Sequence, residues 1–434
     1  MIPHHGACCR RASLLPMSAS SHQNEHPRFA ALLPYWQVTL AAFSGWFLDA
    51  FDQTALMFTL PDIAKDFGCS LAMLGSVFLA QALGRAVGNT GWGWLSDRFG
   101  RKPAFTLGVL FFALFAALTG TTHHLLSLII IQFLFGIGFG GEWTASATLL
   151  MESVPAPLRP LASATMMSGY EIGYMAAAGA QALILPHYSW RLMFFIGLLP
   201  ALLVIFIRLG VAESPLWLAT QEKKKHATHT SPTAEKGPSL WHIIRAFWNG
   251  AAFQAVAFMC FLEFQKAALY TFYPTILREH HHLSPQLIFW PVALYCLGSF
   301  SGKILCGALA ARFGEARIMR LALLTVILLI IPFLNAGPWA ILLASAFLIG
   351  AAASGVYALV PHYLSQRFPN ERRSAGMGTS YAVGSLGQGL AGRIVPALGP
   401  LVAGLPIAAT ICVLAGTMMS IGVTFFRPKD VQNF

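Results

Sequence analysis

Charge is scarce in this chain. Only 10% of its 434 residues are Asp, Glu, Lys or Arg, where a soluble globular domain carries about 25%. A chain so poor in charge cannot cover its own surface with polar groups in water, which excludes a soluble globular protein. Acids are the scarcer sign, 17 against 28 Lys and Arg. The net charge of +11 still does not mark a partner of nucleic acid, because the cations gather on no single soluble segment. Cysteine is sparse too. The seven Cys show no paired spacing beyond Cys8-Cys9, and Cys260, Cys296, Cys306 and Cys412 lie in apolar runs. Neither a disulfide framework nor a zinc site is expected from that pattern. The run His280-His281-His282 reads as a solvated loop rather than a metal site. The first 30 residues hold no long apolar stretch, so no secretory signal is read there. The segment before Met17 differs in composition from the chain beyond it, which makes Met17 a candidate start. With no nucleophile triad, metal-ligand set or phosphate-binding loop in view, neither an enzyme nor a cofactor is expected.

What the chain does contain is apolar sequence. Hydrophobic residues make up 56% of it, in runs of about 20, the length a helix needs to cross ~30 Å of hydrocarbon. Only helices and closed barrels satisfy their backbone in lipid, and these runs are too long for barrel strands. The expected helices of the first half are 36–60, 71–95, 104–121, 126–150, 161–184 and 190–209. Those of the second are 247–276, 286–310, 318–335, 338–360, 375–397 and 401–426. The fold class is therefore an all-α membrane protein, with twelve transmembrane helices in two six-helix bundles. The expected units are a tail at 1–35, a bundle at 36–210, a linker at 211–246, a bundle at 247–426 and a tail at 427–434. Within the linker, Lys223, Lys224 and Lys225 lie among Thr, His and Pro, a composition for water.

The cations fall in alternate gaps. Lys65, Arg191 and Arg278 occupy gaps of one parity, while Arg85, Lys266, Lys303 and Arg393 lie inside apolar runs. The others lie at the termini or in gaps of the other parity. This positive-inside asymmetry places both termini and the linker in the cytoplasm.

The two halves repeat each other. Gly93–Lys102 (GWLSDRFGRK) comes after the second helix and Gly307–Arg317 (GALAARFGEAR) after the eighth. Their alignment pairs Arg98 with Arg312 and Gly100 with Gly314. Pro155 and Arg159 recur as Pro369 and Arg373. Repeats of one orientation give bundles related by an axis along the membrane normal, with a solute site between them near the midplane.

Gly93–Lys102 also resembles the loop signature of the major facilitator superfamily: Gly, three residues, Asp-Arg, one residue, Gly-Arg-Lys. Ala212–Leu218 (AESPLWL) resembles the Pro-Glu-Ser-Pro motif that ends the sixth helix of sugar, metabolite and organic-acid porters, with Ala for the first Pro. Gly45–Asp62, Gly136–Trp143 and Trp190–Leu218 look like the proton symporters for sialate, lactate and related carboxylates. Asp49-Ala50-Phe51-Asp52 looks like the paired aspartates of aromatic-acid symporters. The resemblance covers about residues 36–426. It implies proton-coupled uptake of a small organic anion by alternating access, driven by a proton gradient. It also implies a monomer in a plasma membrane or bacterial inner membrane. An efflux antiporter or a facilitator stays open as an alternative, as does a solute sensor that moves nothing. Ser168–Tyr174 lacks the Gly-Pro pair usual in antiporters, and the short tails leave a sensor little room. The His, Gln and Asp cluster that lactate-type members carry before Tyr-Pro-Thr is absent ahead of Tyr273-Pro274-Thr275.

Ionisable groups inside a bilayer cost about 2.5–3.5 kcal/mol each on insertion scales, so each one retained is a functional candidate. Asp49 and Asp52 are three apart and share a helix face. Proximity and burial both disfavour their joint ionisation, which suits a proton carrier. Glu142 comes directly after the glycine series Gly136, Gly138, Gly140 and Gly141, which itself reads as close helix packing. For Glu142 both proton coupling and a structural ion pair are open readings. Many superfamily members carry an Arg where this chain has Gln132, and Arg85 is the candidate substitute. Arg85, four residues after Gln81, either grips a substrate carboxylate or locks an aspartate of the first helix. Lys266 either pairs with Glu263 three residues before it or binds the anion. Gln81, Tyr270, Tyr295, Lys303, Tyr381, Gln388 and Arg393 complete the expected polar lining. Gly93, Asp97, Arg98, Gly100, Arg101, Arg159, Arg312 and Arg373 are expected to gate the cytoplasmic side. Asp97 is the expected latch, and Ala311 stands where its repeat would be.

Overall fold

Apolar runs of membrane length fold as helices that begin and end where the sequence supplies a terminator. The structure, a computed structural model, describes residues 29–155, 158–198, 213, 218, 222, 250–335, 337–368 and 373–426. Helix α1 (Trp36–Phe67) stops at Gly68, whose φ of +59° is left-handed. Helix α2 (Leu71–Phe99) starts at Ser70, whose hydroxyl accepts from the Met73 amide at 3.3 Å. The first half continues with α3 (Arg101–Thr119), α4 (Leu125–Ser153), α5 (Arg159–Ile184) and α6 (Arg191–Ile196). The second half comprises α7 (Gly250–Tyr270), α8 (Tyr273–Glu279), α9 (Pro285–Phe313), α10 (Glu315–Asn335), α11 (Trp339–Ser365), α12 (Arg373–Leu398) and α13 (Leu405–Phe425).

Two differences from the expected spans have physical causes. The seventh run is two helices, broken at Thr271-Phe272. Pro274 in the first turn of α8 lacks an amide hydrogen and clashes with the preceding turn, so the helix stops and restarts. Helix α1 runs on to Phe67, because nothing before Gly68 terminates it. The end of the sixth run and most of the linker lie outside the described residues.

The internal repeat is visible in the packing. Helix α2 packs on α4 as α9 packs on α11, and α1 on α5 as α7 on α12. Glycine permits both close approaches. A Cβ on Gly84 would overlap the Phe133 carbonyl, and one on Gly302 the Ala351 carbonyl. The Gly136–Gly141 series packs the same way against Gln81, Phe112, Asn89 and Trp92. The loop signatures repeat too. Arg98 lies 5.5 Å from the Phe99 ring and Arg312 lies 5.5 Å from the Phe313 ring. Gly100 and Gly314 both take positive φ, +110° and +86°. After the first signature, the Lys102 amide donates to both carboxylate oxygens of Glu213, at 3.1 and 3.2 Å. That contact gives the Glu of AESPLWL a structural role, capping the positive end of α3.

The halves meet along two seams, α2 with α12 and α5 with α9. Between these seams the core divides. One cluster joins both halves, with Phe78 edge-on to Phe272 and Tyr273 stacked on Phe333. Two further clusters, one per half, fill the end that bears the loop signatures. Helices packed together at one end and parted at the other leave a space between them. That space is the site.

Candidate functional site

A cavity of about 640 Å³ lies between the halves. Ser163 and Ala164 near the start of α5, Ile304 in α9, and Pro361 and His362 near the end of α11 form its mouth. Those helix ends lie on the face of the loop signatures, so the cavity opens there. The opposite end is shut by the shared aromatic cluster. It is also bridged by Arg278 of α8, which grips Asp62 of α1 in a two-pronged ion pair at 2.5 and 2.8 Å.

Three cations line the walls, each in a different setting. Arg85 of α2 lies over the Phe139 ring at 4.5 Å and donates one long bond, 3.4 Å, to Gln388 of α12. Its other N–H groups donate to no described residue, and no carboxylate pairs with it among them. Lys266 of α7 sits in a cage of tyrosines, its ammonium 5.1 Å from the Tyr170 ring, 5.6 Å from Tyr270 and 4.6 Å from Tyr357. Ring faces carry negative charge and replace part of the water a buried ammonium loses. Lys303 of α9 differs, because it forms an ion pair with Glu171 of α5. Trp46, Tyr174, Tyr295 and Tyr381 give the remaining wall a largely aromatic surface.

The expected binding residues divide on this geometry. Arg85, Lys266, Tyr270, Tyr295, Lys303, Tyr381 and Gln388 all line the cavity. Gln81 does not: its amide donates to Gln132 at 3.2 Å, and Gln132 donates on to Thr119 at 2.8 Å, inside the first half. Arg393 does not either, since it is exposed near the far end of α12 and donates to the Ala72 carbonyl of α2. Of the two readings left open for Lys266, a direct ion pair with Glu263 is not formed, although Glu263 attracts the ammonium from farther off. Both side chains reach the cavity, but the tyrosines hold the ammonium.

The aspartates take another direction. Asp49 and Asp52 are buried, at 0% and 3% exposure, and neither lines the cavity. The cavity face of α1 is marked by Trp46 and Gln53, and 100° per residue turns Asp49 and Asp52 roughly 50° and 110° away from it. The Asp52 carboxylate instead lies against Gly197, just past α6. Gly93 lies within α2, and the side chains of Glu142, Asp97, Arg101 and Arg373 are not among those described. Of the other expected gating residues, Arg159 donates to the Val154 carbonyl at 3.2 Å, while Arg98 and Arg312 lie over their neighbouring rings.

The site also contains Glu171, Tyr170 and Tyr357, to which the amino-acid sequence alone assigns no place. Glu171 carries a usable signal, an acid inside an apolar helix. The two tyrosines carry none, because their role arises from helices distant in sequence.

This arrangement defines the class: a twelve-helix membrane carrier, built from two repeated halves around a solute cavity. The model of the Major Facilitator Superfamily matches residues 42–265 and 255–433, and the chain belongs to that family. The chain is 30% identical over 359 residues to a probable 4-methylmuconolactone transporter of Cupriavidus pinatubonensis, with 80% of each covered. It is 26% identical to a cis,cis-muconate transport protein of Acinetobacter baylyi, over 82% of this chain and 86% of that one. It is also 26% identical to a sialic acid transporter of Escherichia coli, over 86% and 88%. Among solved structures, a D-xylose–proton symporter shares the fold, with a TM-score of 0.74 at 18% identity over 92% and 98% of the two chains.

Proposed function

We propose that this protein takes up a small organic anion together with protons, by alternating access. One observation carries the reading: Arg85 and Lys266 face a single aromatic cavity, and neither forms a direct ion pair with a carboxylate among the described residues. A buried cation without a counter-ion is costly, and a substrate carboxylate supplies the counter-ion. The rings suit a planar or unsaturated body, as in an aromatic acid, while a monocarboxylate or sugar acid meets the same cations. The names of the relatives support this class, since they include transporters of cis,cis-muconate, 4-hydroxybenzoate and sialic acid. Asp49, Asp52 and Glu142 remain the sequence-based candidates for the proton. The chain works as a monomer in a plasma membrane or bacterial inner membrane, with its loop signatures and both termini in the cytoplasm. On this orientation the cavity between the halves faces inward.

A thermal-shift panel of the detergent-purified protein tests the reading. cis,cis-Muconate, 4-hydroxybenzoate, niacin and sialic acid are the ligands. A binder at 100 times its Kd stabilises the native state by about 2.7 kcal/mol. At least one acid is expected to raise the melting temperature, and neutral xylose is not. A response to xylose alone would reject the anion reading. Uptake into vesicles under an imposed inward pH gradient then separates symport from efflux or facilitation.

Alternating access also requires the Asp62–Arg278 bridge to break whenever the far side opens. Both side chains are a quarter to a third exposed, so the pair is worth about 1 kcal/mol. Asp62→Asn is expected to raise the alkylation rate of a cysteine placed at Ala55, which is 0% exposed within the cluster shared by both halves, by about five-fold. An unchanged rate would show that the pair does not hold the far side shut.

A further inference from the structure

Glu171 is the acid that joins the two halves inside the cavity, and its two oxygens are unlike each other. Oε1 accepts from the Ser299 hydroxyl at 2.8 Å and from the Lys303 ammonium, both on α9. Oε2 is buried and accepts no hydrogen bond among the described residues. The residue as a whole is 7% exposed, yet it lines the cavity that opens to water. A carboxylate with one bonded and one unbonded oxygen, in the wall of a cavity open on one side, has a ready place for a proton. When that proton arrives the carboxylate loses its charge, and the ammonium loses its counter-ion.

We infer that Glu171 couples proton to substrate: protonation at Oε2 releases Lys303, and the freed ammonium takes the anion's carboxylate. The proton comes from the water on the open side and leaves Oε2 when Lys303 returns to Glu171. No other charge need move. The inference rests on the symport reading and names a coupling residue for it.

The surroundings fit. Lys303 and Ser299 face Glu171 from α9, with Tyr295 and Cys296 one turn along the same helix. Lys266 of α7 lies within electrostatic reach of Glu171, and Glu263 shares the cavity. At the mouth, His362 of α11 is already engaged with Glu315 at 2.9 Å. On α1, packed along α5, Asp49 and Asp52 are buried and line no part of the cavity. An ionised Glu171 therefore repels an incoming carboxylate at the one cation it neutralises. A protonated Glu171 does neither. The pair also spans the α5–α9 seam, so its state is sensed by both halves.

The test is the affinity for cis,cis-muconate and for 4-hydroxybenzoate at pH 6 and pH 8, by titration calorimetry. The unmodified protein is expected to bind about ten-fold more tightly at pH 6, because binding takes up a proton. Glu171→Gln is expected to bind equally at both values, as tightly as the unmodified protein does at pH 6. Lys303→Gln is expected to bind weakly and without pH dependence, which guards against a misfolded Glu171 variant. A Glu171→Gln protein that keeps the full pH dependence overturns the inference and leaves the symport reading standing. An unmodified protein that binds none of the four acids of the thermal-shift panel at either pH rejects that reading, and the inference with it.

Discussion

Replacing Arg85 by Gln should reduce anion uptake by roughly 100-fold or more. Hydrogen bonds to charged groups contribute about 1.5–3 kcal/mol each, and a guanidinium fork supplies two. In this structure the fork is nearly idle. Its single described hydrogen bond, to Gln388, is 3.4 Å long. The Phe139 ring at 4.5 Å holds the group against the wall of the cavity. Arg85 belongs to α2 and Gln388 to α12, so a carboxylate bound to both would join the two halves at their seam. The fork matters as well as the charge. Arg85→Lys keeps a cation but presents a point charge where two parallel bonds are wanted. It is expected to retain about a tenth of the uptake. Radiolabelled uptake normalised to membrane expression measures both variants. If Arg85→Gln transports at the native rate, the substrate does not bind at Arg85. Equal rates for Gln and Lys would assign the loss to geometry rather than charge.

Most of this fold and about half of the cavity are legible in the sequence, and the division has a physical cause. Lipid permits few solutions, so a 20-residue apolar run determines its own secondary structure. The repeated Arg-Phe-Gly at 98–100 and 312–314 exposes the duplication because both copies make the same local turn. Spacing along one helix says which residues share a face, but not what that face meets. Asp49 and Asp52 are about 60° apart around α1, as their shared-face spacing requires, yet both are buried and neither lines the cavity. Lys266 and Glu263 have the spacing of an ion pair, yet Tyr170 of α5 and Tyr357 of α11 enclose the ammonium. Gln81 has the position of a ligand, but Gln132 of α4 supplies its partner. Each of these outcomes depends on a helix many residues away, and no period in the sequence reports it. The break in the seventh helix is the opposite case. Pro274 is visible in the sequence and its effect is local.

Lys266→Met should separate function from stability, moving them in opposite directions. Methionine has nearly the length and shape of the lysine stem, so the tyrosine cage can close around it with little repacking. What disappears is a charge inside the membrane-spanning part of the protein. Such a charge costs about 2.5–3.5 kcal/mol on insertion scales, and three ring contacts at 4.6–5.6 Å offset only a part of that. No carboxylate among the described residues lies within ion-pair distance of Lys266; Glu263 attracts the ammonium from farther off, and its carboxylate faces the open cavity once the charge is gone. The melting temperature of the purified protein is therefore expected to rise by about 2 °C, in keeping with a gain of roughly 1 kcal/mol. Uptake is expected to fall by roughly 100-fold, because the anion loses one of its cations. A lysine kept for packing would give the reverse pattern, a lower melting temperature with uptake reduced only in proportion to folded protein. A fall in both would mean that the cage needs its ammonium to fold, and Lys266 would lose its place as an anion ligand. The two measurements together thus test whether the cation is held in the cavity at a cost to stability because the substrate requires it.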